Sequence, residues 1–407
     1  MAISLPAENS MQASRKVLCS EDARRFAKRR LPRLIFDFVE GAAGREVAAA
    51  RNVSAFDDIE LQPRVMELNE NRSLKTWFLN QEFGYPFGIA PMGMCNLVWP
   101  GADTMMARAA AALDIPLCVS CFASSSITEL RQEAGENSWL QLYVNQSAEV
   151  ALAQAERAQQ EGYEVLVLTV DVPQLARRVR DLRNGFQLPF KLGPRQFLDL
   201  ALHPSWSLTT LVKGVPRPRS FDFGGARTDV DRSASRVGAD WRFLDRLRAL
   251  WNGKLIVKGV TAGADAKRVR DRGADAVYVS THGGRQLDSA PSAISILPRI
   301  REAVGPTFPI VFDSGVRSGE DIAKALVLGA DFVMVGRPAL YAIGADGERG
   351  LLSLLKIMAE ELDLTLAQLG LGEIGQLSSA VLAGAAETGG LSGTDITLRI
   401  AAGLNGT

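Results

Sequence analysis

The fold of this chain is predicted from residues 264–288, which read ADAKRVRDRGADAVYVSTHGGRQLD. Residues 264–272 have the apolar spacing of a helix, and Gly273 interrupts it. Residues 276–280 then form a short run of branched and aromatic side chains, which is typical of a buried strand. A polar, glycine-containing loop follows this strand directly. The stretch therefore predicts a helix, a fully buried strand and a loop that carries polar side chains.

This unit recurs along the chain. Apolar runs of the same kind occupy residues 87–90, 117–121, 139–144, 165–170, 255–260, 276–280, 310–313 and 332–336. Helical patterns occupy residues 103–113, 127–133, 148–161, 241–250, 264–272, 294–303 and 320–328. Continuous apolar strands that alternate with helices indicate a parallel sheet covered on both faces. Eight such strands predict an α/β protein with a (β/α)8 (TIM) barrel.

A doubly wound open sheet is the competing architecture. That fold usually has a glycine-rich turn after its first strand. Residues 91–94, Pro-Met-Gly-Met, do not form such a turn. The barrel is therefore the preferred prediction.

Composition limits the remaining possibilities. Lys plus Arg and Asp plus Glu both number 46 in 407 residues, so the overall charge does not favour a nucleic-acid partner. The sequence contains no uncharged apolar run of the ~18 residues that a membrane-spanning helix needs.

Cys118 and Cys121 have redox-motif spacing, but they lie in a predicted strand and no second pair accompanies them. We expect buried free thiols, no metal site and a cytoplasmic protein.

Three segments lie outside the regular pattern. Residues 1–19 lack the apolar core of a signal peptide and are predicted to be a loose tail before an N-terminal helical extension. Residues 172–240 form a long insertion after the fourth strand, far beyond the ~2–6 residues of an ordinary βα loop. Residues 371–407 are predicted to be a C-terminal tail, which leaves 20–370 as the barrel domain.

Every predicted strand has at least one polar or glycine residue at its carboxyl end. The residues at these ends are Pro91, Met92 and Gly93, Ser120, Gln141 and Tyr143, Thr169 and Asp171, Lys258, Ser280, His282 and Arg285, Asp313, Gly315 and Arg317, and Gly336 and Arg337. Active sites of (β/α)8 barrels lie at this end of the strands. The set therefore predicts one site.

His282 is one of only two histidines in the chain. An imidazole can take and return a proton near neutral pH, and Arg285 can hold a carboxylate through a bidentate fork. The other histidine, His203, is interpreted as a loop residue and not as a ligand or base. A base and an anion anchor on one loop suit chemistry at a carbon next to a carboxylate.

The last two strand ends indicate a phosphate site. Residues 313–319 lead into a helix with two glycines and Arg317, and Gly336-Arg337-Pro338 resembles them. Backbone N–H groups at a helix start, with two arginines, favour an anion. A phosphorylated substrate or a phosphorylated cofactor would serve equally, and FMN beside the base is the simplest solution.

With these motifs in order, the chain resembles the FMN-dependent 2-hydroxy-acid dehydrogenases and oxidases, a family that includes L-lactate dehydrogenase, (S)-mandelate dehydrogenase and glycolate oxidase. The resemblance extends from about residue 20 to about residue 370. It rests on the motifs Arg30-Leu31-Pro32-Arg33, Gln141-Leu142-Tyr143-Val144, Leu168-Thr169-Val170-Asp171, Lys258-Gly259, Ser280 to Asp288, Asp313 to Arg317 and Gly336-Arg337-Pro338.

The resemblance implies the role of each site residue. His282 would be the base, Asp171 would stabilise its protonated form, and Arg178 and Arg285 would clamp the substrate carboxylate. Tyr143 would hydrogen-bond near that carboxylate or near the developing carbonyl, and Lys258 would stabilise the reduced flavin. The expected FMN contacts are Pro91, Met92, Gly93, Ser120, Gln141, Thr169, Lys258, Ser280, Asp313, Gly315, Arg317, Gly336 and Arg337. The implied reaction is oxidation of an L-2-hydroxy acid to the 2-oxo acid by a homotetramer, with quinone or another acceptor taking the electrons.

Several residues depart from the family pattern. Phe38 replaces a substrate-binding tyrosine, Met92 replaces a small polar residue, and Thr281 replaces an asparagine. Phe122 stands where a larger aromatic residue is common. These departures favour a bulkier or more apolar substrate than lactate or glycolate. Gly93 resembles the dehydrogenases, whereas oxidases that form hydrogen peroxide often have alanine there.

The sequence allows alternatives for the role of the insertion and for the class of protein. Residues 197–212, followed by Lys213, Arg217 and Arg219, are either a packed lid or a segment on the inner face of the cytoplasmic membrane. The resemblance supports the membrane alternative, because bacterial members use a similar insertion. A different phosphate-binding barrel with substrate in place of FMN, or a catalytically silent flavoprotein, would be the alternatives to this enzyme.

Overall fold

The computed structural model describes residues 13–67, 69–145, 147–186, 193–222 and 238–384. Its centre is a closed barrel of eight parallel strands, in which the last strand pairs with the first. The predicted barrel is therefore confirmed. Within the described ranges, no helix is long and apolar enough to cross a bilayer.

Three helices and a hairpin precede the barrel. They are α1 (Ser20–Arg30), α2 (Arg33–Glu40), α3 (Val47–Ser54), β1 (Thr76–Phe78) and β2 (Gln81–Phe83). The two hairpin strands pair antiparallel across Leu79 and Asn80, which both have positive φ. Phe78 and Phe83 of the hairpin are buried with Trp139 and Phe332. The hairpin therefore closes the amino-terminal end of the barrel with aromatic side chains.

The barrel strands occupy nearly the predicted positions. They are β3 (Phe87–Ile89), β4 (Leu117–Ser120), β5 (Ser138–Leu142), β6 (Val165–Thr169), β7 (Lys254–Val260), β8 (Ala276–Val279), β9 (Ile310–Phe312) and β10 (Phe332–Val335). Nearly every strand residue is buried, as expected for a sheet that packs on both faces. The polar residues that follow the strands therefore emerge together at one end.

The helices after α3 are α4 (Ala102–Leu113), α5 (Ile127–Ala134), α6 (Ala148–Gln160), α7 (Val179–Asn184), α8 (Pro194–Ala201), α9 (Pro204–Lys213), α10 (Trp241–Leu250), α11 (Gly263–Asp271), α12 (Ala293–Val304), α13 (Gly319–Val327) and α14 (Arg337–Leu369). The seven predicted helices are present within one or two residues of their predicted ends. Helices α7, α8 and α9 belong to the insertion after β6. Local sequence patterns did not resolve them, because most of their large apolar residues are exposed and only a few, such as Trp206, face the core.

The N-terminal segment differs from its prediction. Ser14 and Val17 are buried, and Ser14 Oγ donates to Asp346 Oδ2 of α14 over 2.7 Å. Residues 13–19 are therefore packed on α14, and the loose tail predicted for them is wrong. Residues 1–12 lie outside the described residues. The reason is tertiary, since α14 supplies polar partners that no local pattern reveals.

The C-terminal segment is described as far as residue 384. Ala383 N donates to Glu60 O over 3.0 Å, and Gln62 N donates to Val381 O over 2.8 Å. Residues 371–384 thus lie along the chain that precedes the hairpin. The remainder of the predicted tail lies outside the described residues.

The cysteines are free. Cys95, Cys118 and Cys121 are buried, and Cys19 is partly exposed. Cys118 packs inside the barrel, whereas Cys121 packs in the outer core between barrel and helices. The two thiols therefore point to opposite faces of β4, as the spacing predicts. In the described ranges, no three His, Cys, Asp or Glu residues are grouped closely enough to hold a metal ion.

Candidate active site

A cavity of about 570 Å³ opens at the carboxyl end of the barrel. This volume is in the usual range for a small-molecule or cofactor site. Residues at the ends of all eight strands line it, together with Phe38 from α2 and residues of the insertion. The predicted residues that line it are Phe38, Pro91, Met92, Gly93, Ser120, Gln141, Tyr143, Thr169, Arg178, Lys258, His282, Arg285, Asp313, Gly315, Arg317, Gly336 and Arg337.

Two predicted residues lie behind this lining. Asp171 contacts His282, and Ser280 contacts Lys258. The structure thus brings all the predicted site residues into one cluster. His203 does not line the cavity; it precedes α9, with its Nδ1 atom 2.7 Å from Asp199 O.

His282 follows β8 on a tightly held loop. Its φ of 54° is in the left-handed region, which costs a non-glycine residue about 1–3 kcal/mol. Ser280 Oγ accepts from His282 N over 3.0 Å, and Ser314 Oγ accepts from Gly283 N over 3.1 Å. Downstream, the Asp288 carboxylate accepts from backbone N–H groups at the start of α3. These bonds fix the loop and offset the strain.

Asn52 on α3 supports the same loop. Its Oδ1 atom accepts from Thr281 Oγ1 over 3.0 Å and from Ala293 N over 2.9 Å. The departure at Thr281 therefore has a partner in this chain. A Cβ atom on Gly315 would lie only 1.9 Å from the backbone oxygen of Asn52, and Gly315 has a φ of 102°. Only glycine fits at that position, so α3 packs directly on the loop after β9.

The His282 imidazole is held from both sides. Its Nδ1 atom lies 3.1 and 3.2 Å from the two Asp171 oxygens, and its Nε2 atom lies 3.5 Å from Tyr143 Oη. Burial lowers the pKa of His282 below its ordinary value, and Asp171 opposes this effect. The neutral imidazole is therefore favoured, with Asp171 accepting from Nδ1–H and Nε2 facing the cavity.

Arginines form one wall. Arg285 Nη1 donates to the backbone carbonyls of Phe38, Val39 and Gly41 at 3.1, 3.3 and 2.5 Å. Arg337 donates to Val39 O, Gly41 O and Gly283 O. Burial, together with the Arg178 and Arg337 charges, lowers the pKa of Arg285 well below its usual range. An anion in the cavity would relieve this concentration of positive charge.

Lys258 at the end of β7 is almost fully buried. Its Nζ atom lies 2.9 Å from Asp313 Oδ2 and contacts Ser280 Oγ. Burial opposes ionisation of Asp313, but the Lys258 charge and hydrogen bonds from Ser280, Lys258 and Ser314 lower its pKa overall. The Asp313 carboxylate is therefore ionised, and the Lys258 side chain lies beside it at the floor of the cavity.

Two polar groups in the cavity lack partners. Gln141 Nε2 and Thr169 Oγ1 are buried and have no hydrogen-bond partner among the described residues. Ser120 Oγ lies 3.2 Å from Gln141 Oε1 and fixes the amide, so that Nε2 is directed away from Ser120. A buried donor without a partner costs about 1–3 kcal/mol, so these two groups require a partner that the described residues do not supply. A flavin ring edge, which carries carbonyl oxygens and ring nitrogens, fits both of them.

The opposite end of the cavity fits a phosphate. Gly315, Arg317, Gly336 and Arg337 converge there, next to the beginning of α14. Burial lowers the pKa of Arg317, and its Nη1 atom donates to the backbone carbonyls of Gly315 and Val316. The ring-edge groups and this cationic end together fit FMN.

The entrance of the cavity is apolar. Phe38 stacks on Phe186 with ring centroids 4.5 Å apart and planes 12° apart. Val172, Leu175 and Leu182 of the insertion complete this wall. Local sequence patterns did not single out Val172, Leu175, Leu182 or Phe186, because their position at the cavity depends on how the insertion folds back over the barrel.

A (β/α)8 barrel with a histidine–aspartate pair, an arginine wall and a polar lining that fits FMN is the architecture of a flavin-dependent oxidoreductase. The model of the FMN-dependent dehydrogenase family matches residues 27–384. The chain belongs to this family, and FMN is its cofactor.

Relatives and solved structures support the same family. The chain is 36% identical to (S)-mandelate dehydrogenase of Pseudomonas putida over 364 residues, which is 88% of this chain and 92% of the relative. It is 35% identical to L-lactate dehydrogenase of Pseudomonas syringae pv. syringae (strain B728a), over 89% of this chain and 97% of the relative. The crystal structure of monotopic membrane protein (S)-mandelate dehydrogenase has a TM-score of 0.86 at 36% identity, and covers 90% of this chain and 99% of that one.

Proposed function

We propose that this protein oxidises an (S)-2-hydroxy acid with a bulky apolar side chain to the 2-oxo acid. The observation that carries the proposal is the position of His282, between Asp171 and the cavity and opposite the arginine wall. Bound FMN would supply the two-electron acceptor. A base, an anion clamp and an apolar wall are what a substrate with a carboxylate, a hydroxyl and a large side chain requires.

The proton is handled by His282. Nε2 of the neutral imidazole would take the proton that the substrate releases from its hydroxyl or its Cα. Asp171 would then stabilise the imidazolium through Nδ1–H, since its carboxylate lies 3.1 Å away. Tyr143 Oη, next to Nε2, would hold the substrate oxygen close to the base.

The substrate carboxylate would be bound by Arg178 and Arg285. Arg285 uses Nη1 for backbone carbonyls, while its Nε and Nη2 atoms donate to no group among the described residues. These atoms would form a charge-assisted fork with the carboxylate. Lys258, fixed by Asp313, would stabilise negative charge that develops at the floor of the cavity.

The substrate side chain would lie at the apolar entrance. The stacked Phe38 and Phe186 rings, with Leu175 and Leu182, offer an aromatic or long aliphatic chain a dry surface. Phe38 lacks a hydroxyl for the carboxylate, so a small hydroxy acid would gain little from this wall. An aromatic acid such as mandelate would gain most, which agrees with the relative named (S)-mandelate dehydrogenase.

The electron acceptor would be a quinone or another carrier, and an oxidase that forms hydrogen peroxide is the alternative. Gly93 supports the dehydrogenase through the family resemblance, in which oxidases often have alanine at this position. A Cβ there would lie 2.7 Å from Phe122 Cβ. The position is therefore sterically restricted to glycine unless Phe122 moves. The homotetramer implied by the family resemblance stays a prediction that sedimentation in solution would check.

Peripheral association with the cytoplasmic membrane is part of the proposal. Helices α8 and α9 expose Phe197, Leu211 and Val212, with 68%, 80% and 82% of their surface accessible. Lys213 follows them and adds a positive charge, a combination suited to a lipid surface. The solved relative described as a monotopic membrane protein supports this assignment.

Anaerobic bleaching of the flavin absorption band tests the proposed function. We expect (S)-mandelate or another bulky L-2-hydroxy acid to bleach the band faster than L-lactate or glycolate, and His282→Ala to abolish bleaching. Flavin-containing protein that none of these acids bleaches would contradict the substrate class. Reoxidation by oxygen as fast as by a soluble quinone would favour the oxidase.

A further inference from the structure

Helix α2 is capped by a residue from the insertion. The helix follows Pro32, which supplies no side-chain cap, and no acidic residue lies in its first turn. Asp199 of α8 takes this place: its Oδ1 atom accepts from Arg33 N over 3.1 Å, and its Oδ2 atom accepts from Leu34 N over 3.2 Å. A carboxylate is a strong cap because it satisfies orphan N–H groups and suits the positive end of the helix.

The other end of α2 holds the arginine wall. The carbonyls of Phe38, Val39 and Gly41 accept from Arg285 Nη1, and those of Val39 and Gly41 also accept from Arg337. The negative end of the helix thus faces two guanidinium groups. The position of Arg285 depends on where α2 ends.

Helix α2 is short and enclosed. Its eight residues span about 12 Å. Residues 34–39 are all buried, so the helix can shift only as a unit. Two further hydrogen bonds connect the middle of the helix to the insertion, since Asp37 accepts from Arg180 over 3.1 Å and from Asn184 over 2.6 Å. A displacement at the capped end would therefore be transmitted to the carbonyls that hold Arg285.

We propose that Asp199 is a positioning residue for the substrate carboxylate, and that it acts through α2 on Arg285. The inference rests on the proposed function, in which Arg285 binds that carboxylate. Asp199 itself does not line the cavity. The insertion thereby contributes to substrate binding from outside the site.

Two ligands that differ only in the carboxylate test this inference. They are a 2-oxo acid and the neutral amide of the same 2-oxo acid, with dissociation constants measured from the perturbed absorption of bound FMN. Asp199→Ala should weaken binding of the acid about fivefold, the scale of a lost helix cap, and leave the amide within about twofold. Equal weakening of both ligands would indicate general loosening and overturn the inference.

Two further variants sharpen the comparison. Asp199→Asn keeps one oxygen acceptor and should recover part of the affinity for the acid. Arg195→Ala changes an exposed charge on the same helix and should leave both dissociation constants unchanged. An Arg195 effect as large as that of Asp199 would assign the result to surface charge and contradict positioning through α2.

A double-mutant cycle with Arg285→Met identifies the route. If Asp199 acts through Arg285, Asp199→Ala should cause no further loss of acid binding in the Arg285→Met background, and additive losses would overturn the inference. If Arg285→Met itself leaves acid binding unchanged, Arg285 does not bind the carboxylate, which contradicts both the proposed function and this inference. If Arg285→Met weakens binding but Asp199→Ala does not, the inference alone falls. Should the alanine variant fail to retain FMN, the cycle is run with Asp199→Asn.

Discussion

The Nδ1 atom of His282 lies 3.1 Å from Asp171 Oδ1, while its Nε2 atom faces the cavity beside Tyr143. The two residues lie on the loops that follow different strands, β8 and β6, and 111 positions separate them. Burial favours neutral His282, and Asp171 favours its charged form. The geometry therefore gives a base that is neutral at rest and stabilised once protonated.

Asp171→Asn should lower the rate of flavin reduction by about 10²-fold or more, the range for loss of a positioned acid–base partner. The pKa of His282 is already lowered, so activity should persist below pH 6.5 and fall only as the pH drops through that lowered pKa. Removing Asp171 removes a charge that raises this pKa, so the acid limb should move to lower pH. Stopped-flow reduction across pH 4–9 measures both effects, and a limb that moves to higher pH would contradict the assignment.

Lys258→Met should destabilise the protein. It would leave Asp313 buried without its counter-charge, which costs about 3–5 kcal/mol in comparable pairs. The pKa of Asp313 should then rise, because Lys258 no longer lowers it. Denaturant unfolding of the FMN-free protein measures the loss. Lys258→Met combined with Asp313→Asn removes both charges and should recover much of the stability; no recovery would show that packing, and not charge, is responsible.

Gln141→Leu and Thr169→Val should weaken FMN binding by about fivefold each, since each removes one hydrogen bond to the ring edge. Thr169→Val should not lower the stability of the FMN-free protein, because the lost hydroxyl has no partner among the described residues. Gln141→Leu also removes Oε1, which accepts from Ser120 Oγ over 3.2 Å, so it should lower that stability by about 1 kcal/mol. Fluorescence titration of FMN and denaturant unfolding measure the two quantities.

Thr365→Val provides the matched control, because its hydroxyl donates to Glu361 O within α14, far from the cavity. It should lower stability and leave FMN affinity unchanged. A loss of apoprotein stability in the Thr169 variant, or a loss in the Gln141 variant well beyond that of one hydrogen bond, would mean that these groups serve the fold.

Phe38→Tyr should tighten binding of L-lactate by about tenfold, because a hydroxyl added beside the Arg285 guanidinium can donate to the substrate carboxylate. Phe186→Leu, which removes the stacked ring without adding a hydroxyl, should instead weaken binding of a bulky aromatic acid. The dependence of anaerobic reduction on substrate concentration gives both values. A tyrosine variant with no gain for lactate would show that Phe38 does not face the carboxylate.

Replacing Phe197, Leu211 and Val212 together with serine should abolish binding to vesicles that contain anionic phospholipid, since each apolar side chain contributes about 1.5–3 kcal/mol when buried. Flavin reduction by substrate should stay unchanged. Met66→Ser with Trp77→Ser removes equally exposed apolar groups elsewhere and serves as the control. Co-sedimentation measures binding, and retention by the triple variant would assign α8 and α9 to a different surface role.

The sequence alone determined the barrel and the list of residues at its mouth. Each buried strand is a local run such as Ala276–Val279, so its pattern can be recognised without knowing its neighbours. Because parallel strands all end at one face of the barrel, residues as distant as Gln141 and Arg337 were predicted to share a site.

Tertiary structure decided what local patterns cannot encode. Phe186 meets Phe38, and Asp199 caps α2, through contacts between segments that are 148 and 165 positions apart. Residues 13–19 pack on α14 for the same reason. Such contacts depend on where whole helices pack. That packing is determined jointly by the area buried and the charges paired between distant segments, so no single stretch of sequence predicts it.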